Sequence, residues 1–315
     1  MTTVLVTGGM GFIGTAVVSR LAVRGPVTVA DRLDFGLPDA LSPLTRDGRI
    51  DVVQTELSVP GDLHGRIARG EFQTIVHLAA LHFIPACEAR PVDAYRDNVL
   101  STVALMSHAP ASTRFVNFSS AAVYRPDETP HTEDATLGPT DVYGWTKKQG
   151  EEVASYFARA RQLSVFNIRL FNAVGPGETN PHVLPNLLSQ VRRGHSRLQL
   201  GNLYPLRDFI YIHDIAWVIG ELIAGWPLAD GDVETLNVGT GCAVSIEELM
   251  QRVAQEVGRP LTVAEGTRWR RDVERPYLAA DLKKLRHLLS EFRPTPMDEW
   301  LPPLVRDPAL RVAVD

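Results

Sequence analysis

Tyr143 and Lys147 stand four residues apart in the stretch VYGWTKKQGEE, residues 142–152. On a helix that spacing puts both side chains on one face, with β-carbons about 5–6 Å apart. A free phenol titrates near pH 10, so only about one in a thousand is ionised at neutral pH. A neighbouring ammonium group favours the phenolate and makes it usable as a general base. Lysine is scarce here: positions 147, 148, 283 and 284 are the only lysines among 32 Lys and Arg side chains. A chance Tyr-x-x-x-Lys is expected about once in eleven chains of this composition. Lysine also differs from arginine in kind, being a compact charge that can hydrogen-bond ribose hydroxyls where a broad guanidinium fork fits differently. Upstream, the strand-like run RFVNFSS ends in Ser119-Ser120. A hydroxyl at the carboxyl end of a strand can hydrogen-bond an oxygen that is being oxidised or reduced; its competing role is to cap the next turn.

The first turn of the chain carries glycines at 8, 11 and 14, three residues apart, with Phe12 and Ile13 opening a helical pattern. Such a loop between strand and helix allows a tight turn, a close backbone approach to a diphosphate and close helix–strand packing. The helix N-terminus then offers free amides and a partial positive charge to that diphosphate. Asp31 ends the second strand-like run, where a carboxylate accepts the adenosine ribose hydroxyls and repels a 2′-phosphate. This favours NAD over NADP, although Arg32 follows directly and can pair with a phosphate. A nicotinamide cation beside Tyr143 would further favour the phenolate.

The elements that must position these groups alternate. Residues 2–8 read as a buried strand, 12–24 as a helix ended by Gly25-Pro26, and PVTVAD as a second strand. DVVQTEL, TIVHLAA, RFVNFSS and LSVFNIRLF continue the series. The pattern predicts an α/β fold, a doubly wound parallel sheet of Rossmann type with helices on both faces. From Asn172 the chain turns rich in glycine and proline, and SIEELMQRVAQEVG reads as an amphipathic helix of a smaller C-terminal α/β module. The expected division is a cofactor-binding domain of residues 1–171 and 210–241 and a substrate-binding domain of residues 172–209 and 242–315. A net charge of −5 gives no reason to expect nucleic acid or an anionic membrane as partner. No run of about 18 apolar residues suggests a membrane span. The N-terminus lacks the pattern of a signal peptide, and two cysteines make neither a disulfide framework nor a metal cluster. A cytoplasmic enzyme without metal is expected.

Together these residues make the chain resemble the extended short-chain dehydrogenase/reductase family, the nucleotide-sugar epimerases and dehydratases. TGGMGFIG resembles its cofactor fingerprint, VHLAA its fourth-strand motif, FSSAAVY its serine strand and YGWTK its Tyr-x-x-x-Lys motif. RLFNAVGPG and RDFIYIHD resemble two motifs of its substrate half. The resemblance implies that Tyr143 is the base, Lys147 its partner and Ser120 the hydroxyl donor. It implies cofactor contacts at Glu56 and Leu57 near the adenine, and at Leu78, Ala79 and Ala80. Asn98, in DNVLSTVAL, matches a helix asparagine grouped with the cofactor residues and read as structural. The resemblance implies a nucleotide-diphosphate sugar held by Asn172 and Arg207 at its diphosphate, with Val183 nearby. Arg268 and Arg271 match the late diphosphate-binding region, and His82 and Phe83 fall in the loop near the sugar. It also implies a homodimer through the helical segments 99–109 and 145–159.

Two departures from the family pattern bear on the reaction. Dehydratases of the family carry Asp-Glu after the catalytic hydroxyl, whereas this chain has Ala121-Ala122, with no proton-transfer group for water elimination. Leu200 stands where many epimerases place an aromatic residue against uracil, and Leu-Gly-Asn-Leu with Arg-Asp also occurs in members using guanosine diphosphate sugars. The base stays open. The expected function is an NAD-dependent nucleotide-sugar 4-epimerase, working through a 4-keto intermediate and hydride return to the opposite face. A nucleotide 4-keto-sugar reductase using NAD(P)H and a non-catalytic NAD-binding regulator are the alternatives.

Overall fold

The computed structural model describes residues 3–264 and 275–307. Six strands arise within the first 170 residues: β1 (Val4–Thr7), β2 (Val27–Asp31), β3 (Ile50–Gln54), β4 (Thr74–His77), β5 (Arg114–Ser120) and β6 (Ser164–Leu170). Three shorter ones follow, β7 (Asn172–Val174), β8 (Arg197–Leu198) and β9 (Leu206–Tyr211), before β10 (Val233–Val238) returns to the main sheet. That sheet has seven strands in the order β10-β6-β5-β4-β1-β2-β3, all parallel. The order reverses at β1, whose Val4 pairs with Val27 on one side and Thr74 on the other. Ligands of such sheets bind outside the strand carboxyl ends at this reversal.

Parallel strands are covered on both faces, so they are apolar throughout rather than alternating in polarity. All residues of β1, β4 and β6 are buried. Val4 and Val6 belong to the core packed on one face with the helix Phe12–Ala22, and Leu5 belongs to the core on the other face, with Leu105 and Ala154. The helix Phe12–Ala22 stops two residues short of the expected span, since Gly25-Pro26 ends it from outside.

The helix Val142–Arg161 runs for 20 residues on the second face. Asp141 caps its start, accepting from the Gly144 amide at 2.7 Å, and Gln162 ends it in the left-handed region at φ 56°. Beyond β6, a separate apolar cluster joins Leu184, Leu188, Leu200, Phe209, Leu249 and Trp300. Its residues come from the segments on both sides of β10. Strand β9 is shared at this junction, pairing with β7, with β11 (Ala243–Ser245) and with Tyr277–Leu278. The cleft between the main sheet and this cluster is the site.

Candidate active site

The side chains of the inner cleft reach it from strand ends and from the first two turns of helices, and the outer ones also from loops. The cleft holds about 820 Å³ and runs from the glycine loop past Ser120 and Tyr143 to Leu200 and Arg207. At its deep end Gly8 sits at φ 68°, and a β-carbon there would stand 2.6 Å from the Ala79 nitrogen. A β-carbon on Gly14 would come within 2.2 Å of the Gly8 oxygen. Glycine alone therefore lets the first turn of the helix Phe12–Ala22 close onto β1 and β4. The early amides of that helix lack intrahelical acceptors, and Phe12, Ile13 and Gly14 line the cleft. The fit to a dinucleotide diphosphate is direct.

Asp31, at the end of β2, accepts from the amides of Met10 at 3.1 Å and Leu33 at 2.9 Å. These bonds fix its carboxylate against the glycine loop, facing the cleft. Arg32 is held by three carboxylates: Asp34 at 3.1 Å, Asp97 at 2.9 Å and Glu56 at 3.8 Å. Its basicity is set by partial burial, which lowers it, against these carboxylates, which raise it to a net increase. A guanidinium so engaged is not presented to a 2′-phosphate, and four carboxylates around the ribose end repel one. The site fits NAD. Glu56 spends its own carboxylate on the Ser58 amide and hydroxyl, at 3.1 and 3.0 Å. Leu57, Leu78, Ala79 and Ala80 line the cleft beside it.

Lys147 is buried, and its Nζ donates to the Phe118 carbonyl at 2.8 Å. The ammonium lies 5.8 Å from the Tyr143 ring centroid, so the four-residue spacing does bring the pair together. Burial lowers Lys147 to about 8. Burial also pushes the Tyr143 phenol up from its ordinary value, and a hydrogen bond with Ser120 offsets part of this, while Cys87 and Asp141 add to it. Among the influences the chain itself places on Tyr143, burial is the largest. A nicotinamide cation bound beside the phenol would act against that burial, in the direction of the phenolate.

Ser120 caps the turn that follows, its oxygen accepting from the Ala122 amide at 3.1 Å, and also bonds the phenol of Tyr143. Ala121 and Ala122 form the short turn that follows, and neither brings a proton-transfer group to the cleft.

His82, Phe83, Asn172, Val183, Leu200 and Arg207 line the outer half of the cleft. Asn172 donates to the Asp208 carbonyl at 3.1 Å, and Arg207 donates to the Arg275 carbonyl at 2.7 Å. Arg268 and Arg271 lie outside the described residues. Asn98 needs correction as a cofactor contact. It does not line the cleft; it is buried behind it, accepting from the Leu81 amide at 2.7 Å and donating to Thr146 Oγ1 at 2.8 Å. A π-helical turn over Arg96–Leu100 swings its amide toward the loop after β4.

Residues missed from sequence include Asp141, Glu178, His182 and Arg275. Buried Glu178 stands 3.3 Å from His182, and Asn180 Nδ2 lies 3.0 Å from His82 Nε2. Enclosure lowers the basicity of His82; Glu178 opposes this, and His182 and Lys147 add to it. Asp141 carried a readable signal, since Asp before an amphipathic run is a helix cap. The others sit in irregular segments without one.

Fold and site together define an enzyme of the short-chain dehydrogenase/reductase type. The chain belongs to the NAD dependent epimerase/dehydratase family, which it matches over residues 4–239. It is 30% identical to "UDP-glucose 4-epimerase 3" of Oryza sativa subsp. japonica, across 89% of this chain and 83% of that protein. It is 26% identical to the "GDP-6-deoxy-D-talose 4-dehydrogenase" of Aggregatibacter actinomycetemcomitans, across 99% of both. Among solved structures, MoeE5 in complex with UDP-glucuronic acid and NAD superposes with a TM-score of 0.81 at 30% identity, over 95% of this chain and 96% of that one. Among the described residues, no helix is long and apolar enough to cross a membrane and no cluster of side chains could hold a metal ion.

Proposed function

We propose that this chain is a cytoplasmic, NAD-dependent 4-epimerase of a nucleoside diphosphate sugar. The observation that carries the reading is the meeting of Ser120, Tyr143 and Lys147 at the cleft, followed by two alanines where elimination chemistry needs an acid and a base. The glycine loop and Asp31 would hold NAD, which when bound would supply the hydride acceptor and donor for sugar carbon 4. Tyr143 takes the proton of the 4-hydroxyl as that carbon is oxidised and returns it when the carbon is reduced. Ser120, its oxygen already fixed by the Ala122 amide, donates its own hydrogen to the same sugar oxygen throughout the 4-keto stage. Lys147 holds positive charge beneath the phenol from its anchor on Phe118. Asn172 and Arg207 would tether the diphosphate while the sugar ring presents its two faces in turn.

The domain division at residues 172 and 210 fits this reading, with dinucleotide groups on one side of the cleft and diphosphate groups on the other. A homodimer through the helices Ser101–His108 and Val142–Arg161 is also supported by exposed Leu100, Trp145 and Tyr156 along that face. Sedimentation of the purified chain checks it, and a monomer at all concentrations would remove it.

The function is tested by supplying UDP- and GDP-hexoses and looking for the 4-epimer. Steady accumulation of NADH, or a 4-keto-6-deoxy product, would contradict the proposal. The likeness to a GDP-sugar 4-dehydrogenase over 99% of the chain favours one second reading, a 4-keto-sugar reductase. That enzyme would need exchangeable cofactor and would oxidise it continuously.

A further inference from the structure

We propose that Arg275 is a positioning residue that clamps the turn after Ser120 to the start of the catalytic helix, so that Ser120 and Tyr143 meet. Arg275 is buried at 7% exposure, although it lies more than 120 residues along the chain from both segments. Its Nη1 donates to the carbonyls of Ala121 at 3.3 Å and Tyr124 at 3.0 Å. Its Nη2 donates to the Ala122 carbonyl at 2.8 Å and Thr140 Oγ1 at 3.1 Å. The Asp141 carboxylate, which caps the helix, stands 3.9 Å away.

These contacts form a continuous path to the reacting groups. Ala122 offers its carbonyl to Arg275 and its amide to Ser120 Oγ. Helix Val142–Arg161 presses on the same peptide, since a β-carbon at Gly144 would stand 2.5 Å from the Ala122 oxygen. Arg275 therefore holds one side of Ala122 while the first turn of the helix holds the other. The turn itself, Ala121-Ala122-Val123, has no polar side chain to brace it. The Ala121 carbonyl also accepts from the Tyr124 amide at 3.2 Å, whereas among the described residues the hydrogen bond to the Ala122 carbonyl comes from Arg275, and leaving it unmade costs about one hydrogen bond. A planar guanidinium spans acceptors on two segments at once, whereas an ammonium donates from a single point.

Arg275 does not touch Tyr143, and its effect runs through the Ser120 bond that lowers the phenol's pKa. The charged and titratable groups facing that phenol are Lys147 and Asp141 of its own helix region and Cys87 from the helix Ile84–Ala89. Lys147 and Cys87 make no contact with Arg275, whereas Asp141 loses its ion pair in R275Q and then opposes the phenolate more strongly; R275K keeps a charge beside Asp141 and so separates this from the loss of the clamp.

The proposal rests on the reading that Ser120 and Tyr143 do the chemistry. It is tested with R275K, R275Q and T140V as NAD-loaded proteins, measuring melting temperature, NAD content, kcat, KM and the pH profile of kcat. Expected is a kcat about 30-fold lower in R275Q at full NAD content, with the acid limb moved up by about one pH unit. R275K restores little of this because charge alone does not span the acceptors. T140V, altering an exposed residue, loses about threefold in kcat without a change in melting temperature. Added guanidinium ion should partly rescue R275Q. If R275Q does not fold, R275K and T140V decide by the same readouts. A kcat per NAD-loaded chain within about twofold of the parent, with an unshifted acid limb, overturns the proposal. Should the parent itself lack epimerase activity, the Tyr143 titration, read as the difference between each protein and its Y143F counterpart, still tests the clamp. An unshifted phenol in R275K then refutes it independently of the reaction.

Discussion

Two polar clusters occupy the same strand and the same helix, and they are finished differently. Ser119 and Ser120 end β5, and Tyr143, Lys147 and Glu151 follow one another at four-residue intervals on the helix Val142–Arg161. Ser119 pairs with Glu151, which binds Arg169 of β6 through two bonds at 2.9 and 2.8 Å. Arg169 continues to Tyr124 Oη at 3.1 Å and the Glu133 carbonyl at 2.7 Å, and Tyr124 donates to Asn237 at 2.7 Å. Burial lowers the basicity of Arg169, but its bonds and charge pairing with Glu151 raise it further, to a net increase. One helical turn away, the Lys147 ammonium is buried on a single backbone carbonyl and the Tyr143 phenol is held above its ordinary pKa. The first cluster locks strands to helix. The second leaves charge and hydrogen-bonding capacity for a ligand, at a cost in stability.

The largest expected effect of separating the two clusters is on rate. Tyr143→Phe should lower kcat by about a thousandfold, roughly 4 kcal/mol of transition-state stabilisation, with the melting temperature unchanged or slightly raised. Comparing turnover and melting curves of the purified variant checks both halves. Breaking the other cluster should do the reverse. Glu151→Ala leaves Arg169 charged and unpaired in the interior, and urea unfolding should show a loss of about 3–5 kcal/mol. The chains that remain folded should still bind NAD.

A subtler contrast comes from Lys147→Met, which should cost about a hundredfold in kcat yet stabilise the fold by about 1–3 kcal/mol at neutral pH. The sign follows from the folded pKa of about 8 lying below the ordinary 10.5. Between those values the unfolded chain binds more protons, so this lysine's penalty is full below pH 8 and relaxes as pH rises toward 10.5. The stability advantage of the methionine variant should therefore shrink across that window, at equal NAD content. A constant advantage would show that the ammonium is not the source. The smallest effect is expected at the rim, where Arg32 is exposed and paired with Asp97. Asp97→Asn should improve binding of NADP relative to NAD by about three- to fivefold, measured by calorimetry.

The same contrast explains what could be read from sequence. The glycine loop, Asp31, Ser120, Tyr143 and Lys147 were legible because local geometry imposes them: a turn only glycine tolerates, a strand end, one face of a helix. The sheet was legible for a similar reason, since strands buried on both faces leave unbroken apolar runs. Glu151 and Arg169 were not singled out, because a pair 18 residues apart on a helix and a strand has no fixed spacing. Arg275 was missed while Arg268 and Arg271 were favoured, because its partners lie in the first half of the chain. Asn98 was grouped with the cofactor through its match to a family asparagine, and its structural role appears only where a π-helical turn sets it against Leu81 and Thr146. The extent to which Tyr143 and Lys147 are buried was not legible, because spacing shows a neighbouring charge but not its enclosure.

The proposed reaction demands that the hydrogen removed from sugar carbon 4 return to the same carbon. UDP-glucose deuterated at that position, incubated with the NAD-loaded protein and analysed by mass spectrometry and NMR, tests this directly. The account predicts a 4-epimer that keeps its deuterium even in the presence of excess unlabelled NADH. Deuterium recovered in the free cofactor pool, or replaced by hydrogen in the epimer, would contradict it.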